Sequence, residues 1–70
     1  MTRYYLEDFV PPERRPRLIR DRGDDAFIER YAYGSHRWVN DSEMLQIYTG
    51  DIDVNPITEE EAKEVIERYA

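Results

Sequence analysis

The C-terminal segment, residues 57–70, carries the signals of an amphipathic helix with a defined start. Thr58 followed three residues later by Glu61 forms a capping box, in which each side chain accepts a hydrogen bond from the backbone of the other residue. The glutamates from Glu59 to Glu61 place negative charge in the first turn, where the helix dipole favours it. Apolar side chains then recur at helical spacing, at Ala62, Val65, Ile66 and Tyr69. A helix with one apolar stripe needs a surface to cover, so the rest of the chain must supply one.

The size of the chain limits how that surface can be stabilised. Seventy residues form one domain, and a domain this small has a thin stability margin. The chain has no cysteine, so neither a disulfide nor a thiolate metal site can reinforce it. Two Phe, six Tyr and one Trp can each bury a large area. We therefore expect an aromatic core, and we expect a second copy of the chain to add stability as a homodimer.

The net charge of −6 is unevenly distributed. Residues 1–37 carry eight Arg against seven acids, whereas residues 38–70 carry two basic residues against nine acids. The acidic balance argues against non-specific binding of the whole surface to nucleic acid or an anionic membrane. Nine of the ten basic residues are Arg, which fits either bidentate recognition or the base composition of the encoding genome.

The start of the chain does not resemble a targeting segment. Residues 1–10 contain Glu7 and Asp8 where a signal peptide would have an apolar region. Nowhere does an apolar run approach the ~20 residues that a membrane-spanning helix needs. We expect a cytoplasmic protein without a membrane partner.

Residues 3–10 have the composition of a β-strand with apolar side chains on both faces. Such a strand is either covered on both sides or paired with another chain. The alternatives are a helix or an arm that reaches a partner subunit. Residues 11–16 (PPERRP) should then form an extended, exposed connector, because proline excludes both helix and central strand.

Residues 17–39 are predicted to form an antiparallel meander. Residues 17–22 and 26–33 flank Gly23-Asp24-Asp25, which has the composition of a hairpin turn. A second turn, Gly34-Ser35-His36, leads to a short third strand anchored by Trp38. In the second strand the aromatic face is predicted to be the core face; it carries Phe27, Tyr31 and Tyr33.

A short helix is predicted at residues 42–49, with Asp41 or Ser42 as its cap and Gly50 after its last turn. Residues 51–56 are predicted to be a loop, followed by the C-terminal helix at 58–69. The predicted fold is therefore α+β, a meander of three strands, or four if residues 3–10 join, with both helices packed on one face. The predicted core brings Trp38, Phe27 and Tyr31 against Leu45, Tyr48, Val65 and Ile66.

The candidate catalytic and metal motifs are incomplete. Asp51-x-Asp53-x-Asn55 opens like a calcium loop, but Pro56 stands where the loop needs Gly and Ala62 where it needs Glu. Ser35 and His36 are adjacent in a tight turn, where their side chains rarely face each other as a relay requires. Most carboxylates have structural roles in the predicted helix or turns. We expect no enzymatic activity, no metal and no cofactor.

One basic cluster remains as a candidate site: Arg14, Arg15, Arg17, Arg20 and Arg22. Together with nearby aromatic rings it could stack on bases and hold the phosphates of single-stranded nucleic acid. A simpler interpretation is that the cluster pairs with the acidic C-terminal helix, within the fold or across a dimer. The predicted partner-binding residues are Tyr4, Tyr5, Phe9, Arg14, Arg15 and Arg17.

The second half of the chain resembles a group of short uncharacterised bacterial and phage-encoded proteins. The matching features are Trp38-Val39, Leu45, Tyr48-Thr49-Gly50 and the run from Ile57 to Ala62 (ITEEEA). In that group a small meander ends in a Trp, a short helix ends in Gly, and a capped helix closes the chain. The resemblance covers about residues 17–70, and it implies a bacterial cytosolic setting and a compact α+β fold without implying an activity.

These observations favour a small non-enzymatic protein-interaction module that associates with itself. One alternative is a nucleic-acid-binding accessory protein that uses the Arg14–Arg22 cluster. Another is an acidic inhibitor whose carboxylates mimic the phosphates of nucleic acid.

Overall fold

The computed structural model describes residues 1–23 and 27–69, which form one antiparallel sheet with helices on both of its faces. The strands are β1 (Arg3–Glu7), β2 (Leu18–Asp21), β3 (Ile28–Ala32), β4 (Arg37–Asn40) and β5 (Val54–Ile57), in the spatial order β4-β3-β2-β1-β5. A 3-10 helix (Ser42–Leu45) continues into α1 (Gln46–Thr49), and α2 (Glu59–Tyr69) ends the described chain. The predicted turn residues Asp24 and Asp25, with Ala26 of the predicted second strand, lie outside the described residues.

The predicted class, α+β with an antiparallel sheet, is confirmed, but the predicted number of strands is too low. β1 is the fourth strand of the meander. A fifth strand, β5, pairs with β1 in a segment that was predicted to be a loop. Asn55 and Pro56 made that segment resemble a loop, yet proline is tolerated at the edge of a sheet, where its missing N–H leaves no partner unsatisfied.

The sheet is buried on both faces. Leu18 and Ile19 are neighbours in β2, so they point to opposite faces, and they are only 1% and 0% exposed. On the first face, Ala62 and Val65 of α2 pack against Leu18 and Tyr31. On the second face, the covering segment is residues 42–52, which packs Met44 and Ile52 against two core residues of the strands, Ile19 and Ile28. The prediction that both helices pack on one face is wrong, because β2 and β3 are apolar on both sides and each side needs a cover.

The predicted core is confirmed for four residues: Tyr31, Trp38, Val65 and Ile66 pack together on the first face. Phe27, Leu45 and Tyr48 are instead largely exposed. Phe27 precedes the first residue of β3, so the following residue, Ile28, takes the buried position. Leu45 and Tyr48 belong to the segment that covers the second face. Both keep about half of their surface exposed, although the ring of Tyr48 contacts Tyr5 and its hydroxyl donates to Asp21.

The helix ends are largely as predicted. The backbone N–H of Thr58 donates to Oε1 of Glu61 at 3.0 Å, and the N–H of Glu61 donates to Oγ1 of Thr58 at 3.1 Å, which completes the capping box. Asp41 caps the 3-10 helix by accepting from the N–H of Glu43, and Gly50 ends α1 with a φ of 85°. None of the helices in residues 1–23 and 27–69 is long and apolar enough to cross a membrane.

Candidate interaction surfaces

The aromatic residues of the predicted partner-binding set are divided between the two faces of the sheet. Tyr4 packs on the first face, where its ring lies 6.0 Å from that of Trp38. Tyr5, the next residue of β1, packs on the second face with its ring 6.1 Å from that of Tyr48. Both tyrosines are half-buried. They therefore do not form the common stacking surface that the sequence suggested.

Phe9 is the one aromatic residue of that set that stays exposed. It follows β1 with a φ of 56°, in the left-handed region, and 89% of its surface is accessible. The preceding residue is held in place, since the N–H of Asp8 donates to the carbonyl of Asp53 at 2.8 Å. A groove of about 300 Å³ lies nearby, lined mainly by the prolines of the connector together with Leu6, Val10 and Tyr69.

Arg14 and Arg17 bind a carboxylate of their own fold. Both Nη atoms of Arg14 donate to Glu7, at 2.7 and 2.8 Å. The backbone N–H of Arg17 donates to the same carboxylate at 3.0 Å, and its guanidinium lies 3.7 Å away. The hydrogen bond from Arg14 lowers the pKa of Glu7 below its usual value, although partial burial opposes this shift. These two arginines hold the connector against the end of β1.

Arg15 lies over an aromatic ring instead. Its guanidinium carbon is 5.5 Å from the centre of the Tyr33 ring, close enough for a cation–π contact. The hydroxyl of Tyr33 donates to the carbonyl of Pro16 at 2.7 Å, so this tyrosine also fastens the connector to the sheet. Burial of the phenol raises the pKa of Tyr33 to about 12.

The remaining arginines of the cluster, Arg20 and Arg22, bind Glu29 of β3. Nε of Arg20 donates to Glu29 at 2.9 Å, and Nε of Arg22 lies 3.1 Å from the same oxygen. The guanidinium carbon of Arg20 also lies 4.4 Å from the centre of the Trp38 ring. Within one copy the cluster does not pair with the C-terminal helix as predicted, because among the described residues its ion pairs run to Glu7 and Glu29 on the strands. The alternative, pairing with that helix across a dimer, stays a prediction.

A third acid, Asp41, accepts a hydrogen bond from Nε of Arg30 at 2.7 Å. Among residues 1–23 and 27–69, Glu7 and Glu29 thus bind two arginines each, whereas Asp41 binds one.

The two edges of the sheet differ in their free hydrogen-bonding groups. At the β5 edge the carbonyl of Asp53 faces β1, so alternation turns Val54 and Pro56 outward, and Pro56 has no N–H to offer. At the β4 edge the N–H of Asp41 donates inward to the carbonyl of Ile28 at 3.0 Å. The same alternation turns the backbone groups of Trp38 and Asn40 outward. β4 contains no proline, so its edge is open to another strand.

An apolar groove of about 420 Å³ lies beside the open edge. Its lining residues come from the start of β3, the end of β4 and the covering segment: Phe27, Ile28, Asn40, Ser42 and Leu45. Phe27 is 69% exposed and Leu45 is 53% exposed. This surface was not predicted from the sequence, because β4 is an edge strand only in the order of the whole sheet.

The described residues offer little to catalysis or metal binding. Among them, no group of three or more His, Asp or Glu residues is placed to hold a metal ion. His36 and Ser35 are exposed in the turn before β4, and His36 has a left-handed φ of 55°. The absence of enzymatic activity stays a prediction.

Comparison with known proteins gives no family assignment: no family model, no curated protein and no solved structure matches this chain.

Proposed function

We propose that the chain is a small non-enzymatic protein-interaction module that binds an extended protein segment along the β4 edge. The observation that supports this most is the outward backbone of Trp38 and Asn40 on a proline-free edge strand. In strand addition, the main chain of such an edge supplies the affinity and side-chain pockets supply the specificity.

The apolar groove beside β4 supports the same proposal. Soluble proteins usually protect an open edge with charge, proline or a covering element. Here the edge is flanked by Phe27 and Leu45, which offer apolar area to an arriving chain. A strand added at β4 would shield both the unpaired backbone groups and part of this apolar surface.

The two alternative functions have less support from the geometry. Arg14 and Arg17 already bind Glu7, and Arg20 and Arg22 already bind Glu29, so two carboxylates offset half of the charge of these four arginines and hold their guanidinium groups against the sheet. The acidic inhibitor would use the glutamates of α2, of which Glu61 is engaged in the capping box. Titration with labelled single- and double-stranded oligonucleotides at low salt tests the first alternative, because phosphate contacts are strongest there.

The test of strand addition uses two labelled peptides and low-micromolar protein. One peptide copies residues 35–43, and the other is an unrelated proline-free strand of alternating threonine and valine with lysine ends. We expect at least one to bind, measured by fluorescence anisotropy, and to slow hydrogen exchange at the amides of Trp38 and Asn40.

A pair of variants at one position makes the test specific. Asn40→Pro removes an outward N–H and should weaken peptide binding by about tenfold or more. Asn40→Ala keeps that N–H and loses only a side-chain contact of the groove, so it should weaken binding much less. Thermal melts confirm that both variants fold. If neither peptide binds and both amides exchange freely with peptide in excess, strand addition at β4 is excluded.

A further inference from the structure

We infer that the strand received by β4 is β4 of a second copy of this chain, in the antiparallel register that places Val39 opposite Val39. This inference rests on the proposed function, because it names the partner that occupies the same open edge. It makes the protein a two-fold symmetric dimer with one sheet continuous across both copies.

The backbone of β4 is suited to this register. Trp38 and Asn40 carry the outward groups, and they lie on either side of Val39. A two-fold axis at Val39 puts Trp38 of each copy opposite Asn40 of the other. In an antiparallel ladder each such pair exchanges both of its N–H to carbonyl bonds, so every outward group of the two residues is satisfied.

The charges along the edge are complementary in the same register. Two residues beyond Val39 on either side, Arg37 stands opposite Asp41 of the second copy. The backbone of Asp41 is extended, with φ −149° and ψ 97°, so it continues in the direction of β4. Alternation also places Arg37, Val39 and Asp41 on one face of the sheet, where opposite side chains can meet.

Asp41 is the acid that has bound only one arginine within the described chain. Glu7 and Glu29 each bind two arginines, whereas Asp41 binds only Arg30, through Oδ2, and its Oδ1 accepts from the backbone N–H of Glu43. Arg37 is exposed and makes no ion pair with the other described residues. Within one copy the two residues are four positions apart along a strand, about 13 Å, which is too far for a contact. Arg37 of a second copy can therefore supply the second arginine that its own copy cannot.

Both the backbone and the charges favour this register over its neighbour. With Trp38 opposite Trp38, Asn40 would face His36, which has a φ of 55° and whose N–H already donates to the carbonyl of Tyr33 in its own turn. In that register Arg37 would also face Val39, and Asp41 would face Ser35. With Val39 at the axis, both arginine–aspartate pairs form. This register also brings the turn before β4, which contains His36, next to Ser42 at the apolar groove of the other copy.

A cysteine cross-link tests the register directly, since the chain has no cysteine of its own. Two Val39 residues in a non-hydrogen-bonded pair would have Cα atoms about 4.5 Å apart, within the range of a disulfide. Val39→Cys should therefore form a covalent dimer under mild oxidation. Arg37→Cys is the matched control, because its two copies would be about 13 Å apart and should not cross-link.

Sedimentation of the full chain over a concentration series tests the ion pairs. Arg37→Glu should weaken the dimer by about tenfold or more, because two attractions become two repulsions. Arg68→Glu makes the same change of net charge on the exposed side of α2 and should leave the dimer unchanged. Arg37→Lys should keep most of the affinity.

The outcomes separate the two proposals. A protein that stays monomeric at high micromolar concentration, or that cross-links equally well or not at all through both cysteines, overturns the inferred dimer. If the peptides still bind at β4 in that case, strand addition stands and the partner is another protein. Equal weakening by Arg37→Glu and Arg68→Glu also overturns the inferred register.

Discussion

The two faces of the sheet are covered in different ways. On the first face one continuous helix, α2, lies over an aromatic layer in which the rings of Tyr31 and Trp38 are 5.3 Å apart. On the second face a 3-10 helix, one turn of α-helix and a loop cover an aliphatic layer that includes Ile19, Ile28, Met44 and Ile52.

This difference indicates where the molecule can interact. The covering segment of the second face leaves Leu45 and Tyr48 exposed, whereas the buried positions of α2, Ala62 and Val65, face the sheet. Under the proposed register, the charged pairs of the dimer, Arg37 with Asp41, also lie on the second face, whereas Trp38 and Asn40 meet on the first. On this proposal the first face serves mainly folding, and the second face serves folding and charge-selected association together.

The largest loss of stability is expected when one core residue is truncated on each face. Leu18→Ala and Ile19→Ala empty adjacent positions that are equally buried and face opposite layers. Each should cost about 2–5 kcal/mol of unfolding free energy, measured by urea denaturation, because each leaves a cavity in a packed core. A domain of this size has roughly 4–10 kcal/mol in total, so either variant should be largely destabilised.

The two variants also report whether the layers fold together. If Ile19→Ala melts like the parent while Leu18→Ala does not, the second layer adds nothing to stability and the fold is a sheet with a single cover. If both lose stability with one cooperative transition, the two layers form one unit.

A smaller loss of stability is expected when the charge of Glu29 or Glu7, each of which binds two arginines, is removed. Glu29 lies on the first face with its side chain 8% exposed, between Arg20 and Arg22. Glu29→Gln keeps the shape and removes the charge, so we expect a loss of about 1–3 kcal/mol at neutral pH. Glu7→Gln should cost less, because both of its arginines keep more than two fifths of their side-chain surface accessible (42% and 44%).

The pH dependence of the Glu7→Gln variant shows whether the Glu7 carboxylate stabilises the fold. Arg14 lowers the pKa of Glu7 in the folded chain, so the unfolded chain takes up the proton first as the pH falls. The stability contributed by Glu7 is therefore complete above its usual pKa of 4.5 and is lost as the pH falls through the lowered value. Melts of the parent and of Glu7→Gln should converge in acid; a gap that stays constant with pH would contradict the ion pair.

The sequence predicted the first face better than the second for a physical reason. The capping box and the stripe of α2 are local patterns, and both the cap and the packing of Val65 and Ile66 are confirmed. The second face depends on contacts between distant segments. β5 exists because Val54 and Ile57 pair with β1, a long-range contact that overrides the loop composition of Asn55 and Pro56.

The candidate site could also be predicted only in part, because it too depends on contacts between distant segments. The basic cluster was visible as a run of arginines, but its partners, Glu7 and Glu29, were brought close by strand pairing that no local pattern reveals. Alternation along β1 separates Tyr4 from Tyr5, as it separates any two neighbouring residues of a strand, so their grouping in one surface did not hold. The open edge at β4 required knowing that β4 is the last strand, which followed only from the order of the whole sheet.

The smallest effect on the monomer is expected at the apolar groove beside β4. Phe27→Ser should change the unfolding free energy of dilute protein by less than about 0.5 kcal/mol, since the phenyl ring is 69% exposed. Ile66→Ser is the counterpart on the first face, where the side chain packs against the core, and it should cost several times more. The same Phe27→Ser variant should weaken dimerisation, because the ring lines the groove beside β4. If dilute Phe27→Ser loses as much stability as Ile66→Ser, the ring already packs within one copy, and the groove beside β4 is then not an open apolar surface.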